Sequence, residues 1–294
     1  MNTIRVIALK EFRDRLRSGW VMACIVTWLA VISLTSLFGL IQIGHIGVQG
    51  YERTTMSLLN LAQYLVPLLG LLVGHDLIVR EREDRTLNLA LASGTTRSQL
   101  LVGKFLGGSL TILVPVLVGF LIAGSLIAAA TRDAAVAPFL KLAISGLVLG
   151  IAFNGVGLLL STIARSRVQA LVCALLAWGA AVFAFDLVAL GVIVSTKAVQ
   201  ASQEIDLVCD ATHVNAQADI HASFETDSAA PKHSASSART FAWLWFNPVD
   251  VFRVVNLASV LSAPLPMSAV FGSLLAWILL PLSAAVWRLE RIDL

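Results

Sequence analysis

Charged side chains are scarce in this sequence, and cysteines are few. Asp, Glu, Lys and Arg make up 13% of the 294 residues, whereas hydrophobic residues make up 57%. Soluble proteins carry about 25% charged residues, so the composition excludes an ordinary soluble domain. The three cysteines form no CxxC pair. Their odd number argues against an intramolecular disulfide framework.

The short motifs of common enzyme chemistry are also missing. The sequence contains no GxxxxGK[ST] phosphate-binding loop, so if ATP drives this protein another chain must bind it. It contains neither HExxH nor GxSxG, so the sequence offers no candidate catalytic residue. We therefore predict a non-catalytic membrane subunit without a bound cofactor.

Long apolar runs dominate the rest of the chain. A helix of about 20 apolar residues crosses the hydrocarbon core of a bilayer. The runs are continuous rather than alternating, which favours helices over a β-barrel. The sequence predicts an all-α polytopic membrane protein with six transmembrane helices. The predicted spans are residues 20–44, 57–79, 105–130, 138–163, 168–194 and 269–287.

Basic residues predict how these spans are oriented. Fourteen of the 21 Lys and Arg residues fall on the side that carries both termini and the segment 76–104. The positive-inside rule makes this side cytoplasmic, so both termini are predicted to be cytoplasmic. The basic excess is explained by topology, and no nucleic-acid partner is needed.

Three segments lie outside the predicted spans. Residues 1–19 read as an amphipathic cytoplasmic helix in contact with membrane lipid. Residues 20–294 form a single transmembrane domain that includes a cytoplasmic segment, 76–104, and an external segment, 195–268. The apolar stripe of the N-terminal helix consists of Ile4, Ala8, Leu9, Phe12, Leu16 and Trp20.

The cytoplasmic segment 76–104 is too long and too patterned to be a simple turn. It predicts a charged stalk that extends the second span to Arg85, then a turn at 93–96. A short helix parallel to the membrane would follow and end at Lys104. Such a segment either docks a partner or is an ordinary amphipathic connector that touches lipid.

Two polar residues fall inside predicted spans, where a charge costs at least about 2.5 kcal/mol. Asp186 in the fifth span either bonds to neighbouring helices or lines a cavity or gate. Asn154 in the fourth span is expected to hold helices together.

The external segment has a polar first part and a patterned second part. Cys209, His213 and His221 could suit copper, but their irregular spacing predicts solvated loop residues and no metal site. Further on, Asn247 is a good N-cap residue and Pro248 suits the first helical position. A short surface helix is therefore predicted at 248–259.

The cytoplasmic segment resembles that of ABC-2 permease subunits with a type V-like fold. The matching positions are Glu81, Glu83, Thr86, Leu87, Arg97, Gly103 and Lys104. Arg85 replaces the glycine that is usual in this family, and Gly94 replaces the usual proline. The resemblance implies a bacterial inner-membrane homodimer with a cytoplasmic ABC ATPase dimer that binds ATP and Mg²⁺. The implied ATPase-coupling residues are Glu81, Glu83, Thr86, Arg97, Gln99, Leu100, Gly103 and Lys104.

Later residues are similar to the NosY family, the permeases of the nitrous oxide reductase maturation transporter. The similar positions are Phe185, Asp186, Leu187, Val188, Asn247, Pro248, Val249, Asp250, Arg253, Asn256 and Leu257. The resemblance implies copper-site maturation, with a periplasmic solenoid protein and a copper chaperone as partners. The implied periplasmic interface residues are Trp243, Trp245, Asn247, Pro248, Asp250 and Arg253. The alternatives are an ABC-2 exporter of a lipid, drug or other solute, and a stand-alone secondary carrier or scaffold.

Overall fold

The fold is built from helices. The computed structural model describes residues 2–43, 47–87, 92, 94–130, 136–184, 187, 247–261 and 267–291. The helices are α1 (Asn2–Leu16), α2 (Gly19–Ile43), α3 (Gly47–Gly74), α4 (Val79–Glu83), α5 (Arg97–Ala130), α6 (Val136–Ile163), α7 (Arg167–Gly179), α8 (Pro248–Leu261) and α9 (Met267–Glu290). A π-helical turn at Ala180–Ala184 continues α7. The predicted all-α class is confirmed.

Within the described residues, five helices are long and apolar enough to cross a membrane. They are Gly19–Phe38, Thr55–Glu83, Arg97–Leu126, Phe139–Ile163 and Val270–Glu290. These match the first four predicted spans and the last one, so the chain is a multi-pass membrane protein. At the predicted fifth span, 168–194, the structure has a shorter apolar helix, Arg167–Phe183. Residues 188–194 lie outside the described residues, and six spans with cytoplasmic termini stay a prediction.

Helix α6 lies at the centre of the bundle and packs against α3, α5, α7, α8 and α9. Its contact with α3 is close because glycines face it. A Cβ atom at Gly70 would lie 2.5 Å from the main-chain oxygen of Gly150, and one at Gly74 would lie 2.6 Å from that of Asn154. The small-xxx-small spacing lets the two backbones touch, as expected for membrane helices.

The bundle has a largely apolar core and an apolar outer surface. Trp28 of α2 donates a 2.8 Å hydrogen bond from Nε1 to the carbonyl of Pro115, and its ring meets Phe120 edge-on at 6.0 Å. Large apolar side chains also cover the outside, which is typical of a surface in contact with lipid. Among them are Val26, Phe38, Leu121, Leu140, Leu176, Phe271 and Leu280.

The predicted extension of the second span is present as far as Glu83. It is divided by a turn at residues 75–78, because α3 ends at Gly74 and α4 begins at Val79. The hydroxyl of Ser161 in α6 accepts hydrogen bonds from the main-chain N–H groups of Ile78 (2.9 Å) and Val79 (3.0 Å). Ser161 thereby satisfies donors that the first turn of α4 leaves without helical partners.

The second correction concerns the helix predicted to lie parallel to the membrane before the third span. It is not a separate surface helix, because α5 runs without interruption from Arg97 to Ala130. The residues predicted to form a short connecting helix up to Lys104 are thus the first turns of α5.

Helix α1 lies against the first turns of α5. A Cβ atom at Gly103 would lie 2.8 Å from the Cβ of Ile7, so the glycine allows this close contact. The predicted apolar stripe is only partly turned inward: Ala8 is buried, but Leu9 is 51% exposed and Trp20 is 60% exposed. We call the end of the bundle that carries α1, α4 and the C-terminus of α9 the terminal end.

Candidate functional site

At the terminal end, charged side chains from α1, the α3–α4 connection, α4 and α5 meet in one cluster, in which the cations are buried and the carboxylates are partly buried. Lys104 is only 2% exposed, and its Nζ lies 2.9 Å from a carboxylate oxygen of Glu11 and 2.9 Å from one of Glu81. Arg15 is 3% exposed and pairs with Glu11 at 3.0 Å and with Asp76. We call these five residues, Glu11, Arg15, Asp76, Glu81 and Lys104, the charge cluster.

The pKa values in the charge cluster follow from burial and pairing. Burial alone would raise the pKa of Glu11, but the charges of Lys104 and Arg15 and their hydrogen bonds hold it below its ordinary value. Burial alone would lower the pKa of Arg15, but Asp76 and Glu11 raise it. Glu11 and Arg15 are therefore ionised at neutral pH. Removing one partner of a buried pair leaves an uncompensated charge, which costs about 3–5 kcal/mol.

A polar cavity of about 400 Å³ lies beside the charge cluster. Charged side chains dominate its wall, so it suits water and not a lipid chain. Its lining residues are Glu11, Asp14, Arg15, Arg17, Ser18, Asp76, Leu77, Arg80, Glu81, Asp84, Thr86 and Lys104. Across the part of the chain that the structure describes, no group of three or more His, Cys, Asp and Glu residues could hold a metal ion.

The end of α4 has the geometry of a Schellman motif. The N–H of Thr86 donates to the carbonyl of Glu81 at 2.9 Å, and the N–H of Arg85 donates to that of Arg82 at 3.2 Å. This pattern requires a left-handed residue at the position after the C-cap, which is usually glycine. Here Arg85 occupies it with φ of 57°. The left-handed conformation therefore explains why glycine is usual at this position in ABC-2 permeases.

At the terminal end, two arginines donate hydrogen bonds to main-chain carbonyls at the ends of α6 and α9. Arg82 donates to the carbonyls of Ala164 (2.9 Å) and Thr162 (3.2 Å) at the end of α6. Arg97 donates to the carbonyls of Leu289 and Glu290, both at 2.9 Å, at the end of α9. The last carbonyls of a helix lack helical partners and carry partial negative charge, so guanidinium groups are stabilising there.

The beginning of α5 is formed by a capping box. The N–H of Gln99 donates to the hydroxyl of Thr96 at 3.2 Å, and the N–H of Thr96 donates to the side chain of Gln99 at 3.3 Å. Gly94 before it has φ of 84°, which a residue with a side chain rarely adopts. The predicted turn and N-cap at 93–96 are confirmed at Gly94 and Thr96.

The structure gives most of the predicted coupling residues internal contacts. Glu81 and Lys104 belong to the charge cluster, Arg97 caps α9, Gly103 contacts α1, and Gln99 completes the capping box. Leu100 is buried at 3% exposure, and Glu83 pairs with Arg167 at 2.7 Å. Thr86 and its neighbour Arg85 are exposed, as is Glu83, so these described residues of the segment are open to a partner.

Sequence reasoning missed three members of the charge cluster, namely Glu11, Arg15 and Asp76. A signal was present in α1, because Glu11 and Arg15 are four residues apart and share the side of the helix that buries Ala8. Residues at this spacing face the same way. Nothing local in the sequence indicates that this face meets Lys104.

Comparison with known proteins places the chain in a family. A family model described as "ABC-2 family transporter protein" matches residues 5–294. The chain belongs to the ABC-2 transporter family. It is 31% identical to the "Probable ABC transporter permease protein NosY" of Pseudomonas aeruginosa over 88% of this chain and 82% of that protein. It is 29% identical to the protein of the same name from Stutzerimonas stutzeri over 95% of this chain and 94% of that one.

Membership of this family establishes the general role of the chain. It is the transmembrane permease subunit of an ABC transporter, and its partner is a cytoplasmic ATPase.

At the other end of the permease, Asn247 begins α8. Its side-chain oxygen accepts a 3.1 Å hydrogen bond from the N–H of Val249, so the predicted N-cap is confirmed. Its amide donates to the carbonyl of Ala181 at 2.8 Å and to Asp250 at 3.1 Å. The predicted helix at 248–259 is present, but it is not a surface helix: Asn247 and Phe252 are 1% and 2% exposed.

Polar contacts fix α8 to the rest of the permease. Arg253 donates to Gln63 of α3 at 2.5 Å and pairs with Asp250 at 3.3 Å. Asn256 donates to Ser145 of α6 at 2.9 Å. Of the four predicted periplasmic interface residues that the structure describes, Asn247, Pro248 and Asp250 are buried inside the chain and Arg253 is partly exposed.

Asn154 of α6 holds two helices together, as predicted. It is fully buried, and its side-chain amide donates to the carbonyl of Phe105 at 3.1 Å and to the hydroxyl of Ser109 at 3.2 Å, both in α5. The other predicted positions lie outside the described residues. They are Asp186, Trp243, Trp245 and the copper candidates Cys209, His213 and His221.

Proposed function

We propose that this permease couples ATP hydrolysis to copper-site maturation of nitrous oxide reductase on the periplasmic side of a bacterial inner membrane. The observation that carries the proposal is the similarity to two NosY permeases over 88% and 95% of the chain. The resemblance at Asn247–Leu257 supports the same family. A second copy of the chain, a periplasmic solenoid protein and a copper chaperone belong to this proposal.

The packing of the helices supports transmission of force between the two ends. We call residues 76–104 the coupling segment. Helix α5 begins in this segment and continues into the bundle, where it packs against α6. Helix α6 contacts α3 closely through glycines, and both contact α8. A movement imposed at the terminal end would therefore reach α8 through rigid, closely packed helices. ATP and Mg²⁺ bind to the ATPase, and this chain contributes no catalytic group.

Gene deletion in the host tests the proposed function. Without this permease, nitrous oxide reductase should be made and exported but should lack copper and activity, and a plasmid copy of the gene should restore both. Unchanged copper content and nitrous oxide reduction in the deletion strain would contradict the proposal. If a lipid or drug instead stimulated ATP hydrolysis and its export were lost, the exporter alternative would be supported.

Docking of the ATPase is tested best at the exposed turn after α4. The double variant Arg85→Glu, Thr86→Trp should reduce co-purification of the ATPase, because it reverses a charge and adds bulk at an exposed surface. The matched control Arg85→Lys, Thr86→Ser keeps the charge and should retain the ATPase. Equal recovery of the ATPase with both variants would contradict docking there. Leu100→Glu is unsuitable, because it would place a carboxylate in the core.

A further inference from the structure

The charge cluster joins parts of the permease that are far apart in sequence. Lys104 of α5 contacts Glu11 of α1 and Glu81 of α4. Arg15 of α1 contacts Asp76, in the connection between α3 and α4. Glu11 accepts from both cations, Arg15 of its own helix and Lys104 of α5, so its carboxylate joins α1 to α5.

The backbone contact beneath the charge cluster is equally close. A Cβ atom at Gly107 of α5 would lie 2.7 Å from the main-chain oxygen of Ala8, and the Gly103 position one turn earlier touches Ile7. Side chains of ordinary size at these positions would push α1 away. The position of α1 along α5 is therefore fixed by the glycines of α5 and by the ion pairs at the C-terminal end of α1.

The two cations at the centre of the cluster are not available to another protein. Lys104 and Arg15 are 2% and 3% exposed. The opposite side of α1 is open, with Val6 at 65% and Leu9 at 51% exposure. A change inside the cluster therefore leaves the exposed surfaces of α1 and of the turn at Arg85 chemically intact. Docking and transmission can be separated by mutation.

We propose that the charge cluster makes α1 and the coupling segment move as one body during the ATPase cycle, with Glu11 as the positioning residue. The ATPase acts on the exposed surface, and the buried ion pairs carry its displacement to α1 and to the connection between α3 and α4. Loosening the ion pairs should uncouple the permease without releasing the ATPase.

The test uses Glu11→Gln in the complete permease–ATPase complex, reconstituted in lipid nanodiscs. The ATPase should co-purify as with wild type. Backbone amides of α1 should exchange hydrogen at least about tenfold faster, because a neutral amide no longer compensates two buried cations. The change in ATP hydrolysis rate that the permease imposes on the ATPase should be lost. If α1 stays protected and the ATP hydrolysis rate stays under permease control, the proposal is overturned.

Two controls separate coupling from general damage. Lys10→Gln neutralises an exposed residue of the same helix and should behave as wild type in every measurement. Lys104→Arg keeps the positive charge and has room beside the 400 Å³ cavity, so it should retain coupling, whereas Lys104→Met should not. Equal loss with both Lys104 variants would also overturn the proposal. None of these measurements involves nitrous oxide reductase, so they fail or succeed independently of the proposed function.

Discussion

Arg97, the first residue of α5, donates a 2.9 Å hydrogen bond to the main-chain carbonyl of Leu289 near the end of α9. The two residues are 192 positions apart in the sequence. The resemblance to ABC-2 permeases implies that Arg97 takes part in coupling to the ATPase. The structure gives Arg97 an internal role, because it joins the beginning of α5 to the end of α9.

Replacing Arg97 should therefore destabilise the permease itself. Arg97→Gln removes hydrogen bonds from a charged donor to the carbonyls of Leu289 and Glu290. Because the site is partly exposed, we expect a loss of about 1–2 kcal/mol. Denaturation of the purified permease in detergent micelles measures this loss.

The control for this variant is Arg165→Gln, which neutralises an exposed arginine in the connection between α6 and α7. Its stability should stay within about 0.5 kcal/mol of wild type. If Arg97→Gln were as stable as Arg165→Gln, the contact with α9 would contribute nothing measurable.

A second prediction concerns the left-handed residue after α4. Arg85 has φ of 57°, a conformation that costs a residue with a Cβ atom about 1–2 kcal/mol. Arg85→Gly should raise stability by about 1 kcal/mol, since the glycine relieves the strain but adds freedom to the unfolded chain. Arg85→Ala also removes the guanidinium yet keeps the Cβ atom, so it should give no gain. Equal thermal shifts for the two variants would show that loss of charge, not backbone conformation, is responsible.

The features that sequence predicted well are those with local causes. Apolar runs identify the spans because each residue contributes separately to transfer into lipid. The beginning of α8 was predicted because Asn247 and Pro248 determine a helix start through their immediate neighbours. Asn154 was predicted as a link between helices because a buried amide in a span has few other ways to satisfy its donors.

The charge cluster could not be predicted in the same way. Glu11 and Lys104 are 93 positions apart, and each looks like a surface residue next to a membrane segment. Their burial depends on Gly103 and Gly107, which let α1 approach α5 closely. Likewise, Ser161 of α6 caps α4 and interrupts the predicted stalk, and this contact exists only once α3 and α6 are packed.

A third prediction follows from the pKa of Glu11, which is held below its ordinary value of 4.5 by Lys104 and Arg15 despite burial. A carboxylate with a lowered folded-state pKa stabilises the fold above its unfolded-state pKa, and this contribution is lost as pH falls through the folded-state pKa. Wild type should therefore lose more stability between about pH 5 and pH 3 than Glu11→Gln, although the variant is less stable at pH 7.

The matched control is Asp14→Asn, an exposed carboxylate on the same helix. It should keep the pH slope of wild type. Denaturation midpoints of the three proteins across this pH range provide the measurement. A slope for Glu11→Gln that equals that of wild type would exclude Glu11 as a contributor to acid sensitivity.

A fourth prediction tests the close contact of α3 with α6. A Cβ atom at Gly70 would lie 2.5 Å from the main-chain oxygen of Gly150, and backbone atoms in the centre of the bundle cannot give way easily. Gly70→Ala should therefore cost about 1–3 kcal/mol through overpacking.

Gly272→Ala in α9 is the control, because a Cβ atom there meets no described residue within 4 Å. Alanine is also the better helix former, so this control should be neutral or stabilising by up to about 1 kcal/mol. Thermal unfolding in one detergent compares the two, and equal effects would mean that the backbones of α3 and α6 are not in contact in the membrane protein.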